Sequence, residues 1–158
     1  MKIRVVTNYV VACDHPYAKD RIEIYHKTAE RFAASYREHT PTTQLDGFIV
    51  VANGGPLPDR AKALYDGLVT DVLEYHGDGW WEGEMIEAAR ANQDADLLVF
   101  LLSTLHFSRK GWLERILAAQ EKHGQGLFGA MGNYEHTQIL RSCMVATLPK
   151  LLLSYPWP

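Results

Sequence analysis

The sequence predicts an α/β domain built on a mostly parallel central sheet flanked by helices. Three observations carry that expectation. Strand-like and helix-like segments alternate along the chain at the spacing of right-handed crossover units. The run Leu97–Leu102 is apolar at every position rather than at every second one, which suits a strand covered on both faces. A length of 158 residues, with 47% hydrophobic and 22% charged content, fits one globular domain over residues 1–158 with a substantial core.

Taken in order, Ile3 to Val11 is β-branched and aromatic-rich and reads as a first strand. It leaves through Ala12-Cys13-Asp14-His15-Pro16, where Pro16 disfavours helix at the residue before it. From Asp20 to about Glu38, Ile24, Thr28, Ala29, Phe32 and Tyr36 recur three or four apart, the mark of an amphipathic helix. Leu45–Ala52 is a second strand, halted by Asn53-Gly54-Gly55-Pro56. A short helix over Pro58–Leu68 and a third strand over Thr70–Tyr75 follow. His76–Trp81 is a glycine-rich loop that leads to a helix over Glu82–Ala91. After the strand at 97–102, Lys110–His123 reads as a helix closed by Gly124, and Leu127–Met131 as a short strand. A polar loop, Gly132–Gln138, precedes the apolar segment Ile139–Leu153, which holds a strand and a helical turn.

Composition narrows the function. A formal net charge of -3 argues against a phosphate-backbone binder, so no nucleic-acid partner is expected. No apolar run reaches the roughly 18 residues of a membrane span, and the start has no signal-peptide pattern. Cys13 and Cys143 are too few for a disulfide scaffold, so a reducing cytoplasm is the simplest setting. The Gly-x-Gly-x-x-Gly, Walker and Gly-x-Ser-x-Gly patterns are all missing. No His-Glu-x-x-His or Cys-x-x-Cys spacing points to zinc. A small hydrolase or phosphatase-like enzyme ranks last for want of a nucleophile in a suitable setting.

The motifs that remain resemble the nucleotide-diphospho-sugar transferase superfamily, the GT-A glycosyltransferases, and among them the family-2-like members. Val50-Val-Ala-Asn-Gly-Gly55 is similar to the family's second strand and its polar exit, with Asn53 where an acidic residue usually stands. Gly83 and Ala88-Ala-Arg-Ala-Asn92 resemble its glycine and Ala-Arg-Asn helix. Asp94–Thr104, with Gly111-Trp-Leu-Glu114 behind, is similar to the strand that runs into the metal-binding Asp-x-Asp. Gly129–Gly132 through His136, Arg141 and Ser142 match a late, acceptor-side segment.

The resemblance implies a Rossmann-like GT-A sandwich that binds a nucleotide-sugar donor and passes the sugar to a glycan or small-molecule acceptor. On the matching positions, Asn8, Tyr9, Asn53 and Gly54 would hold the nucleoside, and Arg90, Ser103 and Thr104 would lie near diphosphate and sugar. Trp80, Trp81 and Arg141 would face the acceptor. Glu135 or His136, or Asp14 at the first strand's exit, would take the acceptor proton.

One departure is chemical. Leu102-Ser103-Thr104 replaces Asp-x-Asp, and hydroxyls do not replace the carboxylates that magnesium and manganese prefer. Three readings stay open. Hydroxyls, backbone amides and Arg109 or Arg141 hold the diphosphate without metal. His106 ligates a weaker manganese or magnesium site. Or catalysis is lost, leaving an inactive GT-A-like binding or assembly domain.

Plainer roles compete at each position. Ser103 and Thr104 also suit a strand end, and Asn53-Gly54-Gly55 a tight turn. Trp80 and Trp81 also suit a core, and Arg90 a solvated helix end. Asp94 and Asp96 sit at the wrong end of a parallel strand for chemistry and are expected to be structural. An exposed apolar carboxyl end would make a homo-oligomer plausible.

Overall fold

A computed structural model describes residues 1–12, 21–40, 44–77, 81–131 and 140–154, apart from the side chains of 130, 131 and 140–143. Strands β1 (Ile3–Val10), β2 (Gly47–Asn53), β3 (Asp71–Tyr75) and β4 (Leu97–Leu101) alternate with helices α1 (Ile22–His39), α2 (Asp59–Leu64) and α3 (Trp81–Ala91). Then come α4 (Trp112–His123), β5 (Phe128–Met131), β6 (Leu140–Thr147) and α5 (Pro149–Ser154). The strands form one sheet in the order β3-β2-β1-β4-β6-β5. β1 pairs parallel with β2 and β4, and β2 parallel with β3. β6 runs antiparallel to both β4 and β5. The chain is a single α/β domain with a mostly parallel, mixed sheet, as the alternation predicts.

Strand side chains point alternately to the two faces. One face carries Val5, Tyr9, Phe48, Val50, Leu97 and Val99 into a core shared with α1, α2 and α4. The other carries Val6, Ile49, Val51, Leu98 and Phe100 into a core with α3 and α5. β4 is buried at all five positions, which explains its unbroken apolar run. α1 departs from the predicted stripe at its start. Ile24 is 57% exposed, and burial begins at Ala29, with Phe32, Ala33, Ser35 and Tyr36.

Because β1 to β4 are parallel, their carboxyl ends share one edge, and Val10, Asn53, Tyr75 and Leu101 end there. The amino-end edge is closed by charge. Asp46 and Asp96 accept the backbone N–H of Ile3 and Lys2 at 2.7 and 2.6 Å. Asp94 pairs with Lys2 and with Arg4, the latter at 2.7 Å. These contacts hold the Asp94 carboxyl down at about 2, and they explain the two aspartates as ties between β1 and the start of β4. Among the described residues, no helix is long and apolar enough to cross a membrane.

Candidate functional site at the carboxyl edge

Asn8 on β1 and Asn53 at the end of β2 both point to the α3 side of the sheet, and each is buried. Asn53 Nδ2 donates to Glu84 Oε1 at 2.5 Å. Asn8 Oδ1 accepts the backbone N–H of Ser103, just past β4, at 3.0 Å. The ends of β1, β2 and β4 are thereby tied to the first turn of α3 through polar side chains.

Glu84 is 1% exposed. Burial pushes its carboxyl up to about 8, hydrogen bonds from Asn53 and then Asn8 pull it back down in part, and Glu82 pushes it up. Oε2 has no partner of full hydrogen-bond geometry among the described residues. A carboxyl in this setting is neutral near pH 7.

Two close approaches shape the rim. Gly54 has φ +91°, and a Cβ there would lie 2.1 Å from the carbonyl oxygen of Ala12. The β1 exit is laid against it, with the N–H of Val11 donating to Asn53 O at 2.8 Å. A Cβ at Gly77 or Gly83 would lie 1.9 or 2.0 Å from the Tyr75 hydroxyl, so that ring passes between the β3 exit and α3. Gly83 of the sequence motif thus has a packing reason.

The predicted residues divide. Asn8, Asn53, Gly54 and Ser103 come together at this edge, and Thr104 follows Ser103 on the exposed side of the turn. Tyr9 does not join them, because neighbouring strand residues face opposite ways. Its hydroxyl bonds His26 Nδ1 at 2.6 Å on the α1 side, and burial, above all, raises its pKa.

Arg90 lies in the last turn of α3, about 9 Å along the helix from Glu84, paired with Glu87 at 2.5 Å. A helix that starts at the carboxyl edge ends at the other one, so Arg90 is carried away from the cleft. Trp81 is buried and meets Phe100 edge-on with ring centroids 6.4 Å apart, which makes it a core residue rather than an acceptor platform. Asp14, Trp80, Glu135 and His136 lie outside the described residues, as does the side chain of Arg141 on β6.

Among the described residues, the β4 exit offers no fit for a divalent cation. Leu102-Ser103-Thr104 supplies no carboxylate of the kind magnesium or manganese prefers. His106 and Arg109 are exposed beyond it, and among the described residues no three His, Cys, Asp or Glu side chains cluster to hold a metal.

Glu84 escapes a reading of the sequence because an acidic residue in a helix's first turn is normally a solvated partner of the helix dipole. The available signal is its place on the stripe of Trp81, Met85, Ala88 and Ala89, where a charged residue would be buried.

Solved structures share this architecture. Mouse xyloside xylosyltransferase 1 in its apo form matches with a TM-score of 0.63 at 10% identity, over 99% of this chain and 70% of that one. TarS 1–349 from S. aureus matches with a TM-score of 0.62 at 13% identity, over 96% of this chain. The fold is that of the nucleotide-diphospho-sugar transferases. The 4-diphosphocytidyl-2C-methyl-D-erythritol synthase from Anaerococcus prevotii also matches, with a TM-score of 0.59 at 11% identity, over 97% of this chain and 74% of that one. The chain spans about half of the TarS structure, 48%. No family model and no curated protein matches the chain in sequence.

Proposed function

We propose that the carboxyl edge of the sheet binds a nucleotide-diphosphate sugar and that the chain transfers the sugar to an acceptor hydroxyl. The observation that carries this reading is the buried Asn8–Asn53–Glu84–Ser103 network, set at the ligand-binding edge of a nucleotide-diphospho-sugar transferase fold. Asn53 and Gly54 meet the nucleoside, with Asn8 bracing them from beneath, while Ser103 and Thr104 meet diphosphate and sugar. The acceptor oxygen loses its proton to Glu135 or His136 and bonds to the anomeric carbon, as that carbon's bond to the diphosphate oxygen breaks. Nucleoside diphosphate leaves.

Charge on the leaving diphosphate is met by hydroxyls and backbone amides, with Arg109 or Arg141 as the candidate cation, since the β4 exit has no carboxylates for a metal. Calorimetric titration with uridine, guanosine, cytidine and thymidine diphosphates and their sugars, with and without manganese, tests the reading. Binding of at least one of them, little changed by manganese, is expected; no binding across the panel defeats it.

The missing acidic pair at 102–104 favours a second reading, a domain that binds such a ligand without turning it over. Donor hydrolysis separates the two. Turnover that disappears in Glu135→Gln or His136→Ala supports transfer, whereas binding with no turnover in the wild type supports the second reading.

A further inference from the structure

Glu84 places a buried carboxyl group beneath the cleft, and no step of the proposed transfer uses it. We infer that Glu84 is a positioning residue: it holds the carboxamides of Asn53 and Asn8 so that Asn53 presents its carbonyl oxygen, not its NH2, to a ligand. The inference rests on the reading that this edge takes a nucleotide.

The geometry runs through one network. A carboxamide is planar, with oxygen and nitrogen diverging to either side of the Cβ–Cγ axis, so committing the nitrogen fixes where the oxygen faces. Asn53 Nδ2 is committed to Glu84 at 2.5 Å, which turns Oδ1 away from α3. Asn8 is fixed from the other end, because its Oδ1 holds the N–H of Ser103 at 3.0 Å and its NH2 is left for Glu84. The ligand group that meets Asn53 is therefore a donor, an N–H or a hydroxyl.

The groups acting on Glu84 are few. From α3 itself Glu82 faces it; from β1 and β2 come the two uncharged carboxamides; and the Tyr75 phenol of β3 lies against Gly83. Among the described residues, no cation figures in the influences on it. Its neutral form suits a site for an anionic ligand, and losing the proton would set a negative charge beneath that ligand.

The test has an arm that needs no nucleotide. In the free protein, the side-chain NH2 signals of Asn8 and Asn53 in nitrogen–proton correlation spectra are expected to shift together with a midpoint near pH 8. The shift should be absent in Glu84→Gln. In the second arm uridine diphosphate is titrated calorimetrically. Wild-type affinity is expected to fall about tenfold between about pH 6.5 and about pH 9.5. Glu84→Gln, a neutral isostere that still accepts from Asn53, should stay within about threefold of the wild type and lose the pH dependence. Glu84→Leu, which cannot accept, should bind about tenfold more weakly at neutral pH with an unchanged circular-dichroism spectrum.

Amide signals that do not titrate, or that titrate alike in Glu84→Gln, overturn the inference. So does a folded Glu84→Leu protein that binds uridine diphosphate as tightly as the wild type. If the wild type binds no uridine diphosphate, that ligand is excluded for the site, and the amide signals still decide the role of Glu84.

Discussion

A carboxyl group that loses its water on folding resists ionisation, and at the residue scale this makes Glu84 a source of pH-dependent stability. Its folded value near 8 lies above the ordinary 4.5. Between those values the folded chain keeps a proton that the unfolded chain gives up. Stability is therefore greatest below the lower value and falls as pH rises toward the upper one. The slope from this group alone is at most about 1.4 kcal/mol per pH unit. Urea unfolding at several pH values, compared between wild type and Glu84→Gln, should show the slope only in the wild type; parallel curves would refute the argument. Two buried tyrosines offer a contrast. The Tyr9 hydroxyl is hydrogen-bonded to His26 Nδ1, so Tyr9→Phe should cost about 1 kcal/mol. The Tyr36 hydroxyl is buried with no partner among the described residues, so Tyr36→Phe should be neutral or stabilising. Equal losses in the two variants, read by denaturant midpoint, would show that partner geometry does not decide the difference.

At the scale of elements, the link after β4 is held down by aromatic packing. Phe107 stacks on Trp112 with ring centroids 5.2 Å apart, and its N–H donates to Ser35 of α1 at 3.1 Å. Trp112 Nε1 donates in turn to Thr40 Oγ1 at 3.1 Å. This fixes the start of α4 and hence the course of residues 104–111 past the cleft. Trp112→Ala should destabilise by about 3–5 kcal/mol, as for other large core truncations, and an unfolding free energy within 1 kcal/mol of wild type would contradict it. The elements themselves were legible because their hydrophobic patterns match their burial. β4 is apolar throughout and buried throughout, and α1 buries Ala29, Phe32 and Tyr36 at helical spacing. Two things were not legible. The position of β6 between β4 and β5 depends on pairing between distant segments, and a linear pattern does not specify that order. Glu84 carries the local signature of a helix start, and only the packed sheet makes it a buried group. Asn8 and Asn53 could be placed from sequence as residues of strand ends. That Tyr9 would face the other way follows from strand alternation, whereas the link of both asparagines to α3 needed the three-dimensional arrangement.

For the whole molecule, the sheet order decides where stability is concentrated. β1, β2 and β4 are covered on both faces and paired on both edges, so their amides open only when the core itself opens. β3 is an edge strand with Asp71, Val72 and Glu74 exposed, and the charges of Asp71 and Glu74 are of the kind that keep an open edge from recruiting another chain. The cleft spans this gradient, since Asn8 and Ser103 belong to the stable centre while Tyr75, packed against Gly77 and Gly83, belongs to the weak edge. Native-state hydrogen exchange should accordingly rank amides of β1, β2 and β4 slowest, near the global unfolding free energy, with those of β3 exchanging faster through local opening. A ligand held by Asn53 would draw the β3 exit toward the centre, because the N–H of Gly54 donates to Tyr75 O at 2.9 Å and couples the two strand ends. Adding a nucleoside diphosphate that binds should then slow exchange at β3 more than at β1. If β3 already exchanges as slowly as β1 in the free protein, or is unchanged when the ligand is bound, the strand ends are not coupled in this way.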